Sequence, residues 1–160
     1  MHRQTLLKLL NSYQPQDEAD AWQRDRIRAF VECNPQCFER SLLEGHVTGS
    51  CWLLNAAEDS LLMTHHRKLG RWMQLGGHAD GETDVLKVAL KEAVEESGIS
   101  NVTALMPEIF DVDVHEIPAR GEVPAHYHYD IRFALLAPEG ARFEVSEESN
   151  QLAWVRFEDF

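Results

Sequence analysis

Apolar positions near the start of the chain recur at helical spacing. Leu6, Leu7 and Leu10 form one stripe within residues 3–13, and Ala21, Trp22, Ile27, Phe30 and Val31 form another within about 18–33. Pro15 and Pro35 punctuate these two helices. From His46 the texture becomes β-branched and aromatic. HVTGSCWLLN and SLLMTHH, on either side of Glu58–Asp59, predict a hairpin, and GRWMQLGG predicts a short strand running into two glycines. Beyond Gly98, the stretches VTALMPEIFDVDVHEI, HYHYDIRFALLA and QLAWVRF are strand-like, and PARGEVP (Pro118 to Pro124) is a connecting loop. A single helix precedes Gly98. Leu86, Ala89, Leu90, Ala93 and Ser97 mark its expected core stripe, Thr83 or Asp84 its N-cap, and Gly98 the residue that ends it. The final FEDF reads as the opening of another helix, cut short. Strands around one central helix, with a helical preface at one end, predict an α+β fold.

Composition narrows the function. A chain of 160 residues suits one domain with one core. No apolar run approaches the roughly 20 residues of a membrane span, and the N-terminus lacks the long apolar region of a signal peptide, so a cytoplasmic protein without membrane contact is expected. The net charge of −12 argues against a nucleic-acid polymer as partner, which would need a basic footprint. Cys33, Cys37 and Cys51 are too few and unpaired for a disulfide framework and are read as free thiols.

Against this acidic background, Glu92, Glu95 and Glu96 crowd one edge of the central helix, within about 100° of arc. Their mutual repulsion is unfavourable, and the C-terminal end of a helix is the wrong end for anions. Clustered carboxylate oxygens next to a glycine pair suit a hard divalent cation such as Mg²⁺ or Mn²⁺.

These residues resemble the Nudix box, G-x5-E-x7-R-E-U-x-E-E-x-G-U, where U is a bulky apolar residue. Counted from Gly77, the stretch matches at Glu92, Glu95, Glu96, Gly98 and Ile99. Lys91 stands where the box has Arg, Thr83 where it has its first Glu, and Ala93 is a small U; Glu82 lies one residue early. The resemblance covers about residues 45–160 and leaves 1–44 as an N-terminal helical extension packed on the core. It implies an α/β/α sandwich with a mixed sheet. It also implies metal-dependent hydrolysis of a diphosphate, usually in a nucleoside diphosphate linked to another moiety. Carried over by position, Glu92, Glu95 and Glu96 would hold Mg²⁺ or Mn²⁺, with the Gly76 carbonyl as a further ligand. Glu92, Glu96 and Glu148, the last in the loop before the final strand, are the candidate catalytic groups. Arg67, Lys68 and His78 are candidates for binding a small-molecule diphosphate. The helical preface offers a face for a homodimer.

Histidines form a further pattern. Period-two alternation in HYHYD puts His126, His128 and Asp130 on one strand face. His46 opens the first strand and His78 follows the glycines. In a Nudix-like sheet these four histidines would come together as a second metal site, with Asp130 or Glu116 orienting a ring; substrate binding or loop support is the competing expectation. Two other readings of the whole chain remain. It also resembles the type I isopentenyl diphosphate isomerases, which share the fold but have a cysteine where this chain has Gly76. A catalytically silent ligand-binding member of the family is the other.

Overall fold

The Asp17 carboxylate accepts the backbone N–H of Asp20 at 2.8 Å and caps α2 (Glu18–Cys33). The computed structural model describes residues 1–160, and in it α1 (Gln4–Ser12) lies against α2. Leu6 and Leu10 from the first helix and Ile27, Phe30 and Val31 from the second turn into one core. The Tyr13 hydroxyl donates to Asp20 at 2.8 Å and ties the turn between the helices.

Eight strands follow: β1 (Gly45–Leu54), β2 (Ser60–His66), β3 (Trp72–Met73), β4 (Leu75–His78), β5 (Thr103–Ala104), β6 (Asp111–Ile117), β7 (His126–Leu136) and β8 (Ser149–Arg156). The sheet is mixed. β1 runs parallel to β7 from Gly45↔Tyr127 to Leu54↔Leu136, and β6 is antiparallel to β7. On its other side β1 pairs with β4 through its middle, Thr48 to Cys51, and with β2 only near its end, at Leu54↔Leu61; β2 carries β3 and β8. β1 thus diverges from β2, and β4 fills the gap. The α+β class and the two preceding helices are those expected from the sequence pattern, and the mixed sheet is the one the resemblance implied.

Strand alternation assigns the two faces. α3 (Val85–Ser97) lies over Gly49, where an added Cβ would come within 3.0 Å of the Val85 carbonyl and the Val88 side chain. Odd-numbered residues of β1 and their β7 partners therefore face α3. α2 covers the same face farther along, where Phe30 stacks on Tyr129 with ring centroids 3.8 Å apart. Even-numbered residues of β1 and β7 form the opposite face, which is polar over His46, Thr48, Ser50, His126, His128, Asp130 and Arg132 and apolar beyond them at Trp52, Leu54, Ala134 and Leu136.

Three local expectations are corrected. GRWMQLGG is two strands, because the chain changes partner at Gln74 from β2 to β4. VTALMPEIFDVDVHEI is also two: Pro107 lacks the N–H a ladder needs, and 105–110 separate β5 from β6. The buried face of α3 holds Val85, Val88, Ala89, Ala93, Glu96 and Ser97, while Leu86 and Leu90 are only half-buried at its border. Asp84 is the N-cap, accepting from Lys87 N–H at 3.2 Å. FEDF forms a 3₁₀ turn at Phe157–Asp159. No helix is long and apolar enough to cross a membrane.

Candidate functional site

The carboxylate site forms where α3 crosses β4. A Cβ on Gly77 would lie 2.5 Å from Glu92 Cδ and 2.6 Å from its Oε2, so only glycine leaves room for that carboxylate against the strand. Glu96, one turn on, is 7% exposed, and its Oε2 is buried without a protein partner. Burial pushes its carboxyl up to about 8, with the charges of Glu92 and Glu148 adding to the effect; the Gly76 amide offsets part of it. Burial likewise raises Glu92, and the Lys91 ammonium opposes the shift. Glu95 is the exposed member of the triplet, 3.7 Å from Lys91. A buried acceptor without a donor, beside a second crowded carboxylate, is the arrangement that a hard divalent cation satisfies.

The box departures take a definite form. Glu82 pairs with Lys87 at 2.7 Å and accepts the Asp84 N–H at 3.0 Å, so it supports the start of α3 and does not reach Lys91. Lys91 lies instead between Glu92, at 3.9 Å, and Glu95.

The loop from His78 to α3 is held from the N-terminal side. Gly81 N–H donates to the Phe38 carbonyl at 3.0 Å, and Val47 N–H to the Cys37 carbonyl at 2.7 Å. The Arg40 guanidinium forks onto both oxygens of Asp80, which adopts a left-handed φ of 48°. The charges of the Arg40–Asp80 pair reach two groups of titrating residues: burial is the main cause of each shift, with Asp80 adding to the rise of Glu92 and Arg40 to the lowering of His46 and His78. Residues 37–40 therefore frame the site, which the sequence pattern did not suggest.

Glu148 occupies the exposed turn before β8, and its carbonyl accepts the Arg67 N–H at 3.0 Å. Its charge reaches both Glu92 and Glu96. Arg67 and Lys68 are exposed in the turn between β2 and β3, and neither forms an ion pair. His66 is lowered by burial, and the charges of Lys68, Arg120 and Arg71 add to this. Arg120, at the tip of the β6–β7 connection, thus joins the basic group at this rim. Only the pairing of strands brings it there.

On the opposite face of β4 the histidines converge. His46, His78 and His128 offer ring nitrogens within 4.8 Å of one another. The His46 ring centroid is 5.1 Å from that of His78 and 5.0 Å from those of His126 and His128. His115 adds a fifth ring, 5.5 Å from His128. Burial lowers His78 to about 4 and His128 further, so both rings are neutral at pH 7. Beside them Asp130 accepts from Thr48 at 2.8 Å, from Ser50 at 2.7 Å and from Arg132 at 3.0 Å. Arg132 also donates to Asp111 and Asp113. Asp130 therefore does not orient a histidine; Asp113 does, 2.8 Å from His115 Nδ1. The alternation of Asp111, Asp113 and His115 in DVDVHEI was the available signal for this network. Cys33 is exposed while Cys37 and Cys51 are buried, and all three are free thiols.

The comparisons agree with this architecture. The chain resembles a Nudix hydrolase from M. smegmatis, RenU, with a TM-score of 0.51 at 20% identity over 70% of this chain and 71% of that one. It also resembles a NUDIX-family hydrolase from Clostridium perfringens (TM-score 0.49, 23% identity, 71% and 83% covered) and an Ap4A hydrolase from C. elegans (0.46, 16%, 71% and 81%). At 20% identity the likeness to the M. smegmatis protein concerns the fold alone. No curated protein matches the sequence. The family model for the NUDIX domain matches residues 45–160, beginning at β1 and including the glycine pair and the glutamate triplet, and the chain belongs to the Nudix family of pyrophosphohydrolases.

Proposed function

We propose that the protein hydrolyses the diphosphate linkage of a small molecule, a nucleoside diphosphate linked to another moiety, with Mg²⁺ or Mn²⁺. The observation that carries this reading is Glu96, whose Oε2 is buried without a partner beside Glu92, itself seated against Gly77. Glu92, Glu95 and Glu96, with the Gly76 carbonyl, would hold the metal. The bound ion supplies charge neutralisation at the diphosphate oxygens and acidifies a water molecule. Glu148, on an exposed turn whose charge is felt at the triplet, is the candidate general base. Arg67 and Lys68, unpaired at the rim, would meet the anionic substrate; His78, at the end of β4, is on the strand face away from the triplet. Residues 45–160 form the catalytic domain in this reading, and 1–44 are an extension packed on it that frames the loop before α3.

The test is a panel of diphosphate compounds assayed with Mg²⁺ and with Mn²⁺, scored by which bond is cut. Hydrolysis should stop on chelation and return with either ion. Glu96→Gln keeps the shape and removes a ligand charge, so kcat should fall by about 10²-fold or more while the thermal transition persists. Near-wild-type turnover by this variant on a substrate that the parent cleaves would refute the assignment.

A further inference from the structure

We propose a second metal site, built from His46, His78 and His128 on the sheet face opposite α3, that binds a divalent transition-metal ion such as Zn²⁺, Co²⁺ or Ni²⁺.

Three independent features of the geometry support it. The first is convergence from separate elements. His46 comes from β1, His78 from β4 and His128 from β7, and register sets them together: His46 is directly paired with His128 in the parallel ladder, and His78 is opposite Thr48 on the other side of β1. Their ligand nitrogens lie within 4.8 Å of one another. A tetrahedral ion with bonds of roughly 2.0–2.1 Å needs nitrogens about 3.4 Å apart, so small ring rotations would close the set.

The second is the direction of the free nitrogens. His46 Nε2 and His128 Nε2 are both buried with no protein partner, and His46 as a whole is 4% exposed. His46 Nδ1 faces the Leu42 carbonyl at 3.5 Å. A carbonyl only accepts, so Nδ1 carries the proton and Nε2 is left as the basic lone pair. The neighbouring rings repeat this arrangement. His126 Nδ1 faces the Pro124 carbonyl at 2.9 Å, and His115 Nδ1 faces the Asp113 carboxylate at 2.8 Å. Backing of one ring nitrogen by a carbonyl or carboxylate is how metal-ligating histidines are oriented, and among the three proposed ligands His46 has it. A cluster serving only as hydrogen-bonded support would not leave two buried ring nitrogens unpaired.

The third is local charge. Asp111, Asp113 and Asp130 share Arg132 as their one close cation. The floor next to the rings is thus net negative, which favours a cation and disfavours a phosphate in the same place. The donor set also selects the class of ion. Neutral imidazoles without a carboxylate suit Zn²⁺, Co²⁺ or Ni²⁺ over Mg²⁺, the reverse of the glutamate triplet. Three histidines leave a coordination position open, and His126 and His115 stand beside it. That position would take a water molecule or an oxygen donor of a ligand lying on the polar face.

The two sites are on opposite faces of β4, so the inference does not depend on the proposed hydrolysis. The full chain, stripped with chelator, is titrated with Co²⁺ in the presence of excess Mg²⁺. One equivalent should bind with the visible absorption of a four- or five-coordinate nitrogen site. His46→Ala and His128→Ala should each weaken binding by more than the roughly 10–100-fold that loss of an orienting partner costs, whereas Glu95→Gln should leave it unchanged. Circular dichroism identifies a variant that has not folded. The wild-type chain then supplies a check without substitution: adding Zn²⁺ should shift the imidazole ¹⁵N resonances of three histidines and leave His2 and His65 in place. Absence of the Co²⁺ spectrum, its retention in folded His46→Ala, or unshifted imidazole resonances would overturn the proposal. A parent chain that binds Co²⁺ as expected but hydrolyses no diphosphate would instead count against the reading of the glutamates alone.

Discussion

Gly76 and Gly77 are adjacent and chemically identical, yet they are glycine for different reasons. A Cβ on Gly77 meets the carboxylate of Glu92, which is the free end of a flexible side chain. A Cβ on Gly76 meets Ser50 Cα at 2.7 Å, which is the backbone of β1. Gly77→Ala should therefore fold with nearly the parent midpoint in urea and lose activity, because Glu92 is pushed off its position. A displacement of about 1 Å can cost on the order of 100-fold in rate. Gly76→Ala should lower stability by about 1–3 kcal/mol, the usual range for overpacking, because a strand must shift. Urea unfolding and initial rates on the two variants would separate these effects. If Gly77→Ala kept both its rate and its Mg²⁺ dependence, the position of Glu92 would be irrelevant to the chemistry.

At the scale of elements, the N-terminal helices are part of the core that supports the site. Leu6, Leu10, Ile27, Phe30 and Val31 belong to the same buried cluster as Val47, Val88 and Phe133. Phe30 stacks on Tyr129, and the segment after α2 holds Gly81 and Asp80. A fragment of residues 45–160 should thus lack a cooperative thermal transition; a fragment that unfolds cooperatively and hydrolyses substrate at the parent rate would show the extension to be dispensable. The two helices were legible because Leu6, Leu10, Ile27, Phe30 and Val31 keep helical spacing between prolines. Their role in framing the loop was not, because Arg40 and Asp80 meet only after β1 and β4 pair. The same limit applies within α3. The spacing of Glu92, Glu95 and Glu96 made the carboxylate edge legible. A stripe drawn from apolar residues alone could not include Glu96, which the fold buries, and it gave Leu86 and Leu90 more of the core than they hold. Among the histidines, alternation paired His126 with His128, but the inclusion of His115 depends on the β6–β7 register.

For the whole molecule, the two polar clusters set opposite dependences of stability on pH in the metal-free chain. Glu96 has a folded pKa of about 8 against an ordinary 4.5. Between those values the native state keeps a proton that the unfolded chain has lost, so this contribution is complete below about 4.5 and disappears as pH rises through 8. His78 and His128 are shifted the other way, from 6.5 down to about 4 and about 2. Their contribution is complete above 6.5 and is lost as pH falls, because the unfolded chain takes up two protons that the native state refuses. Between about 4.5 and 6.5 His78 and His128, with His46 lowered in the same direction, oppose Glu96 and the likewise raised Glu92, and stability rises with pH. Above 6.5 the raised carboxyl of Glu96 dominates, and stability falls, by at most about 1.4 kcal/mol per pH unit for one proton. The chelated protein should therefore be most stable near pH 6.5. Mg²⁺ or Mn²⁺ binds ionised carboxylates, so saturating either ion should raise the melting temperature most at pH 8 and flatten the alkaline limb. Calorimetric scans at pH 5, 6.5 and 8, with chelator and with Mg²⁺, would measure both limbs. A melting temperature in chelator that kept rising from pH 6.5 to 8 would mean that Glu96 is ionised in the native chain, and that its buried carboxylate is compensated by something other than a proton or a metal.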